Sequence, residues 1–339
     1  MSDRKLATIV KILDLQPIPK ADAIETATVR GWKVVVKKNE FKIGDLAVYY
    51  EIDSFLPVTS EFEFLRPRCY RRMADGGEGF RLKTIKLRGQ ISQGLLTPIP
   101  ASLLNVVVDD GDDVTGALNI VKYEPPVPAH LGGEIKGSFP SFIPRTDEER
   151  IQNYITSGEI DVRGKDAYIT EKLDGSSFTA YIRNGEFGVC SRNLELKPND
   201  DNAFWQAAKL LNLHDKFVYI NRNIALQGEL VGPGIQGNLY GLKNRIIYFF
   251  TGHDIDSGQR MKFGELKEVL ETLKLPMVPV LEYSATLPQE NFVDTMLAYA
   301  EGKSALNPSV EREGVVVRGL TEEFSFKAIS NKYLLSEND

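Results

Sequence analysis

The chain has 339 residues, 42% hydrophobic and 26% charged, with a formal net charge of −6, ordinary proportions for a globular protein with room for two domains. The acidic balance argues against a surface coated all round with nucleic acid. No apolar run approaches the roughly 20 residues that a bilayer-spanning helix needs, and two cysteines, Cys69 and Cys190, cannot build a disulfide framework.

The opening residues, Met1 to Lys5, lead into a short alternating run and not into a signal-peptide core. With the cysteine count, this sets the expectation of a reducing intracellular compartment, cytoplasm or nucleus. Leu6–Leu13 alternates as a strand does, Trp32–Val36 and Ala47–Ile52 follow, and Gly44-Asp45 marks a turn. Arg81–Leu87 and Gly94–Ile99 continue the series. Short strands at this spacing, with Gly and Pro between them, predict a small N-terminal OB-type β-barrel.

Charge is uneven: residues 1–100 carry 17 Lys+Arg against 12 Asp+Glu. Arg66, Arg68, Arg71 and Arg72, interleaved with Phe64 and Tyr70, precede Gly76-Gly77-Glu78-Gly79, which reads as a mobile tip. Lys83, Lys86 and Arg88 alternate along one strand face. Two readings stand side by side, a solvated edge and a phosphate-tracking surface with aromatics for stacking. Asp109 to Asp113 is an acidic turn that lacks the downstream Glu of an EF-hand and reads as a solvated loop. Tyr123-Glu124-Pro125-Pro126-Val127-Pro128 has the composition of a stiff linker, which divides the chain into 1–124 and 125–339.

The second part mixes element types. Ala167–Lys172, Ile246–Thr251 and Gly314–Arg318 read as strands, while Ala203–Leu211 and Phe263–Leu273 have helical periodicity. The expected class is α+β, with antiparallel sheets and flanking helices in the second domain. Its sharpest feature is Glu171-Lys172-Leu173-Asp174-Gly175, a lysine closing an apolar strand before a Gly-containing turn. Alone, K-x-D-G fits a strand end as well as a cleft floor.

Its company narrows the choice. Ser191-Arg192-Asn193, Leu226-Gln227-Gly228-Glu229-Leu230, Ile246-Ile247-Tyr248-Phe249-Phe250, Glu313-Gly314-Val315-Val316-Val317 and Phe324-Ser325-Phe326-Lys327 follow in order. The series resembles motifs I to V of the covalent nucleotidyltransferases: DNA ligases, RNA ligases and mRNA-capping enzymes. With Gln16 to Asp22, Gly31-Trp32, Glu51 to Pro57 and Pro144 to Asn153, the chain most resembles the OB-first RNA ligases of the Deinococcus/Naegleria type. That resemblance implies an OB domain contacting nucleic acid, followed by an adenylyltransferase domain. One departure is Ser325, where many members carry the first lysine of a K-x-K motif. Lys332 is either its substitute or a surface lysine.

The resemblance implies an ATP-dependent RNA ligase acting through a lysyl-AMP on Lys172, with RNA ends or a nicked duplex as partner. A free lysine, with a pKa about 10.4, is protonated at neutral pH, so a metal ion or second cation together with burial is expected to favour the neutral amine. Lys327 is the candidate for the α-phosphate. Arg150 and Arg192 are candidates for ribose or phosphate, with Arg145 behind them, and Glu171 and Gly175 join the cofactor-binding set. Glu229, Glu313 and Asp174 form an oxygen-only set suited to a hydrated Mg²⁺ or Mn²⁺, with Asp174 equally readable as a turn residue. Strand alternation lets either Phe250 with Tyr248, or Phe249, face adenine, and Phe250 is preferred. The three histidines and Cys190 read as structural.

The rivals are a DNA ligase, a capping guanylyltransferase and a non-catalytic RNA-binding protein. The short stretch from Lys327 to Asp339 leaves no room for the carboxyl-terminal OB domain the first two are expected to carry, and the intact Lys172, Glu229, Glu313 and Lys327 speak against the third. Without heptads or a dimer stripe, a monomer is expected.

Overall fold

The computed structural model describes residues 4–73, 76–103, 107–123, 135–157 and 161–336. The chain divides into two compact units. The first is Met1–Val127 with Ile155–Ser157 and Leu335–Asp339; the second is Pro128–Tyr154 with Gly158–Leu334. The linker at Glu124 to Pro128 and His130 lie outside the described residues.

In the first unit the strands are β1 (Ala7–Lys11), β2 (Asp14–Pro17), β3 (Ile24–Val29), β4 (Trp32–Lys37), β5 (Leu46–Tyr50), β6 (Ser54–Pro57), β7 (Tyr70–Arg72), β8 (Glu78–Arg81), β9 (Thr84–Leu87), β10 (Gln90–Gln93), β11 (Leu95–Thr97) and β12 (Val121–Lys122), with helix α1 at Arg66–Cys69. They pair as β1-β5-β11, β2-β3-β4, β10-β9 and β12-β6-β8-β7. The sheet β1-β5-β11 is covered on both faces. Ile9, Val48 and Tyr50 meet Leu56 and Phe80 on one side, while Val10, Ala47 and Tyr49 meet Trp32 and Val34 on the other. Leu6 to Val10 are therefore all buried, because a strand between two cores has no solvated face.

The expected barrel is not what forms: among the described residues no sheet closes on itself, and each keeps two edges. Closure needs a continuous, staggered ladder around the ring. Between β4 and β10, where contact is close, the Val35 amide donates to the Ser92 hydroxyl at 3.0 Å, so a side chain takes a place that a ladder carbonyl would fill. The tip read at Gly76–Gly79 is narrower than expected: Glu78 and Gly79 pair with Arg72 and Arg71, while Gly76 and Gly77 lie outside the strands. Arg81–Leu87 is divided between the end of β8 and β9, and of Lys83, Lys86 and Arg88 only Lys86 lies within a strand.

The second unit holds β13 (Ile135–Ser138), residues 151–154 of α2 (Ile151–Ser157), β14 (Asp166–Lys172), β15 (Ser176–Arg183), β16 (Glu186–Cys190), β17 (Leu194–Leu196), α3 (Ala203–Leu210), α4 (Leu213–Ile220), β18 (Ile224–Val231), β19 (Ile246–Asp254), α5 (Phe263–Thr272), β20 (Val280–Thr286), α6 (Phe292–Ala300), β21 (Gly314–Gly319), β22 (Ser325–Ile329) and residues 331–334 of α7 (Asn331–Ser336). Two antiparallel sheets result, β13-β17-β16-β15-β18-β19 and β20-β14-β21-β22. The fold class is α+β.

One face of the six-stranded sheet is apolar and packs under helices. Phe178, Ala180, Leu226 and Phe249 join Phe204, Trp205, Phe217 and Leu266 in one core. The period of two along a strand turns Ser177, Thr179, Gln227 and Glu229 to the other face. Helix α3 starts where the Asn202 side chain accepts the amides of Phe204 at 2.8 Å and Trp205 at 3.3 Å, satisfying donors that a helix start otherwise leaves open.

Candidate active site

The lysine closing β14 is placed by register. Lys172 pairs with Gly314 and Thr170 with Val316, and Val316 pairs in turn with Lys327. Cross-strand partners share a face, as do residues two apart. Lys172 and Lys327 therefore project from the same side of the four-stranded sheet, together with Arg318 and Ser325. Glu171 lies on the reverse side, almost fully buried, where its Oε2 accepts the Ala305 amide at 2.7 Å. Burial pushes its carboxyl pKa up. Its side chain is not brought into the Lys172 cleft.

Two glycines set how closely the site's strands approach. A Cβ on Gly175 would lie 2.4 Å from the Leu230 carbonyl oxygen and 2.9 Å from Cγ of Glu229; one on Gly314 would lie 2.2 Å from the Ala328 carbonyl oxygen. Gly175 thus acts by admitting β18, and with it Glu229, next to the Lys172 turn. The same turn is fixed by the Asp174 amide, which donates to the Tyr240 hydroxyl at 2.6 Å.

The Lys172 ammonium donates to Glu313 Oε2 at 2.7 Å. Burial opposes its charge, but Glu313, Glu229 and Asp174 prevail, and the amine is held above the ordinary lysine value. The protein's own groups do not produce the neutral amine expected from the sequence, because three carboxylates outweigh one buried cavity wall. The stress falls on Glu229. Burial, offset in part by Lys172 and reinforced by Glu313 and Asp174, pushes its pKa up to about 8.

These acids are an oxygen-only donor set, the chemistry of a hard divalent cation. Among the described residues no group of three or more His, Cys, Asp or Glu stands close enough to hold one ion directly.

Around Lys327 the segment 144–150 forms a strap. The Lys327 amide donates to the Glu149 carbonyl at 2.8 Å, and Arg150, buried, bridges to Lys327 along the backbone. Lys327 Nζ reaches Asp147 Oδ1 at 3.3 Å, and Arg192 reaches Asp147 Oδ2 at 2.9 Å. Glu148 accepts from Arg318 at 2.9 Å and from the Ser325 hydroxyl, so the serine in the lysine position is tied to the strap. Lys332 is exposed and paired with Glu301 at 2.8 Å, and Arg145 is exposed.

Burial separates the three aromatic positions of β19. Phe249 is fully buried in the helix-side core, whereas Tyr248 and Phe250 pack near Leu173 and Tyr240. Gln227 pairs with Thr251 and Gly228 with Phe249, so Phe250 is the extra residue of a β-bulge. The Arg318 guanidinium sits 5.6 Å from its ring centre. His253 shares a contact of 3.1 Å with Gln227, His214 is exposed beside Asp215, and Cys190 is fully buried with its thiol pushed up to about 12 by burial.

Asp147, Glu148 and Tyr240 were absent from the sequence-based set. The first two stand in the family-like stretch Pro144 to Asn153, which was the only signal for them. Tyr240 had none.

Comparison with known proteins follows the same two-part division. An OB-fold domain family matches residues 6–99, and the RNA ligase family matches residues 165–332. No curated protein matches the chain. Among solved structures, the Naegleria gruberi RNA ligase with pyrophosphate has a TM-score of 0.89 and 43% identity, covering 98% of each chain. A Glu-to-Ala variant of that ligase with ATP and Mn has a TM-score of 0.90 and 43% identity, covering 99% of this chain and 100% of that one. Another, with AMP and Mn, has a TM-score of 0.90 and 43% identity over 98% of each. A likeness of this extent and identity leaves one conclusion: the chain belongs to the RNA ligase family.

Proposed function

We propose that this RNA ligase seals 3′-hydroxyl/5′-phosphate breaks, foremost nicks in duplexes whose 3′-hydroxyl strand is RNA, with Lys172 carrying the adenylate. The observation that carries the reading is the Lys172 amine enclosed by Glu313, Glu229 and Asp174, with Lys327 on the same sheet face. The enzyme is ATP-dependent. The Naegleria relative has been solved with ATP and Mn, with AMP and Mn, and with pyrophosphate, the participants that adenyl transfer to a lysine would have.

Glu229, Glu313 and Asp174 would hold a divalent cation, Mg²⁺ or Mn²⁺, which when bound would supply positive charge to offset theirs and to steady charge developing on the α-phosphate. The Lys172 proton passes to Glu313, whose Oε2 already accepts it at 2.7 Å. The freed amine attacks the α-phosphorus, the N–P bond forms, and the P–O bond to pyrophosphate breaks. In this reading Lys327 and Arg192 bind phosphate oxygens and Phe250 stacks on adenine. The RNA 5′-phosphate oxygen then attacks the same phosphorus and releases Lys172. Finally the 3′-hydroxyl attacks the activated 5′-phosphate and AMP departs.

In this reading the OB-like unit contacts RNA, the enzyme acts as a monomer, and a reducing compartment suits its two free cysteines. Among the described residues no helix is long and apolar enough to cross a membrane.

The test is incubation with α-labelled ATP or GTP and Mg²⁺ or Mn²⁺, followed by denaturation. ATP-specific label that disappears in Lys172→Ala is expected. Nicked duplexes differing only in the 3′-hydroxyl strand then separate the finer claim: sealing with RNA at that end and none with DNA. Label from GTP alone, or equal sealing of an all-DNA nick, refutes the assignment.

A further inference from the structure

Asp147 divides its two oxygens between cations from opposite walls of the cleft. Oδ1 takes Lys327, from β22 of the four-stranded sheet, at 3.3 Å; Oδ2 takes Arg192, from the turn between β16 and β17 of the six-stranded sheet, at 2.9 Å. The carboxylate is held there by the strap. Thr146 meets the Ser177 hydroxyl at 3.3 Å, Glu148 is bound to Arg318 at 2.9 Å, and the Glu149 carbonyl accepts the Lys327 amide at 2.8 Å. Upstream, the Pro144 carbonyl accepts from Gln227 at 2.8 Å. Neighbours on both sides are thus docked, which fixes where the backbone of Asp147 lies beside the two cations.

Two acceptor oxygens offered to one lysine and one arginine reproduce what two non-bridging oxygens of a phosphate would offer. We infer that Asp147 is a built-in surrogate for a nucleotide phosphate, holding Lys327 and Arg192 together until the incoming triphosphate displaces it. This rests on the proposed adenylyl transfer at Lys172. Asp147 is a positioning residue that competes with ATP for the two cations and keeps them spaced for it. The contact is accessible, with side-chain exposures of 44% for Asp147 and 55% for Arg192, so displacement needs no opening of the core.

An ion pair this exposed resists displacement weakly, which bounds the effect. In the full-length Asp147→Asn variant, the ATP concentration giving half-maximal labelling of Lys172 should fall about two- to fivefold. Asp147→Glu keeps the charge and should return the wild-type value, and added salt should shrink the difference between Asn variant and wild type. An unchanged or higher half-saturating concentration in Asp147→Asn, or a Glu variant that behaves like the Asn one, overturns the inference. Absence of Lys172 labelling in the wild-type enzyme would instead sink the underlying reading, so the two failures are distinct.

Discussion

Replacing Gly175 with alanine tests whether strand approach, and not only side-chain chemistry, builds the cleft. The new Cβ would stand 2.4 Å from the Leu230 carbonyl oxygen, 2.8 Å from Val231 Cγ1 and 2.9 Å from Glu229 Cγ. The first of these is about 1 Å short of ordinary contact. The oxygen is backbone and belongs to the residue paired with Ser176, so it cannot rotate away; the start of β15 and the end of β18 must part. Overpacking of this kind costs about 1–3 kcal/mol. The displaced atoms include Glu229, and a shift on the order of 1 Å in a catalytic constellation can cost about 100-fold in rate. Gly175→Ala should therefore lower the urea midpoint modestly and Lys172 labelling by roughly two orders of magnitude. Gly264→Ala is the control, since nothing lies within 4 Å of its added Cβ in α5; a helical Gly-to-Ala change is expected to add ~0.5 kcal/mol. If Gly175→Ala labels at the wild-type rate, the steric argument is wrong.

Because the acid shell raises Lys172 above the ordinary lysine value, acetylation of the nucleotide-free protein followed by mass spectrometry should find Lys172 lagging exposed lysines as pH climbs toward 10. Its early reaction would contradict the electrostatics. In stability terms the sign is that of a raised base: the Lys172 contribution is present below the unfolded lysine pKa and is lost as pH rises through the folded one. His253 has the opposite sense. Burial, with Arg260 and Arg318 nearby, lowers its pKa from 6.5 to about 4, so the unfolded chain binds the extra proton first. Stability should fall by roughly 3 kcal/mol between pH 6.5 and 4, and His253→Gln should flatten that decline in urea titrations; an unaltered slope would show that His253 is not its source.

What the sequence reveals depends on how local the determining physics is. Ala167–Lys172, Phe263–Leu273 and Gly314–Arg318 announce themselves because period and length suffice, and the structure assigns β14, α5 and β21 there. Barrel closure did not follow from the strand count, because it depends on which distant edges meet, as at Val35 and Ser92. Of Gly76–Gly79 the first two glycines lie outside the strands as glycine suggests, while Glu78 and Gly79 have a pairing partner in β7 that composition does not reveal. The position of Glu171 could have been read from alternation alone: it and Lys172, being adjacent on a strand, point opposite ways. Asp147 could not, since a carboxylate shared by Arg192 and Lys327 is defined by residues remote along the chain.

The extra residue in β19 also bears on how the pocket can change. Phe250 has no cross-strand partner on β18, so its side chain can be exchanged while the pairing of Gly228 with Phe249 and of Gln227 with Thr251 stays as it is. Removing the residue would regularise the strand: Phe249 and Thr251 would become consecutive, their pairings with Gly228 and Gln227 and that of His253 with Ala225 would be kept, and the side chain at the bulge would be lost. The wall near Leu173 is thus open to variation both in kind and by this one residue in length, without disturbing the pairs on either side.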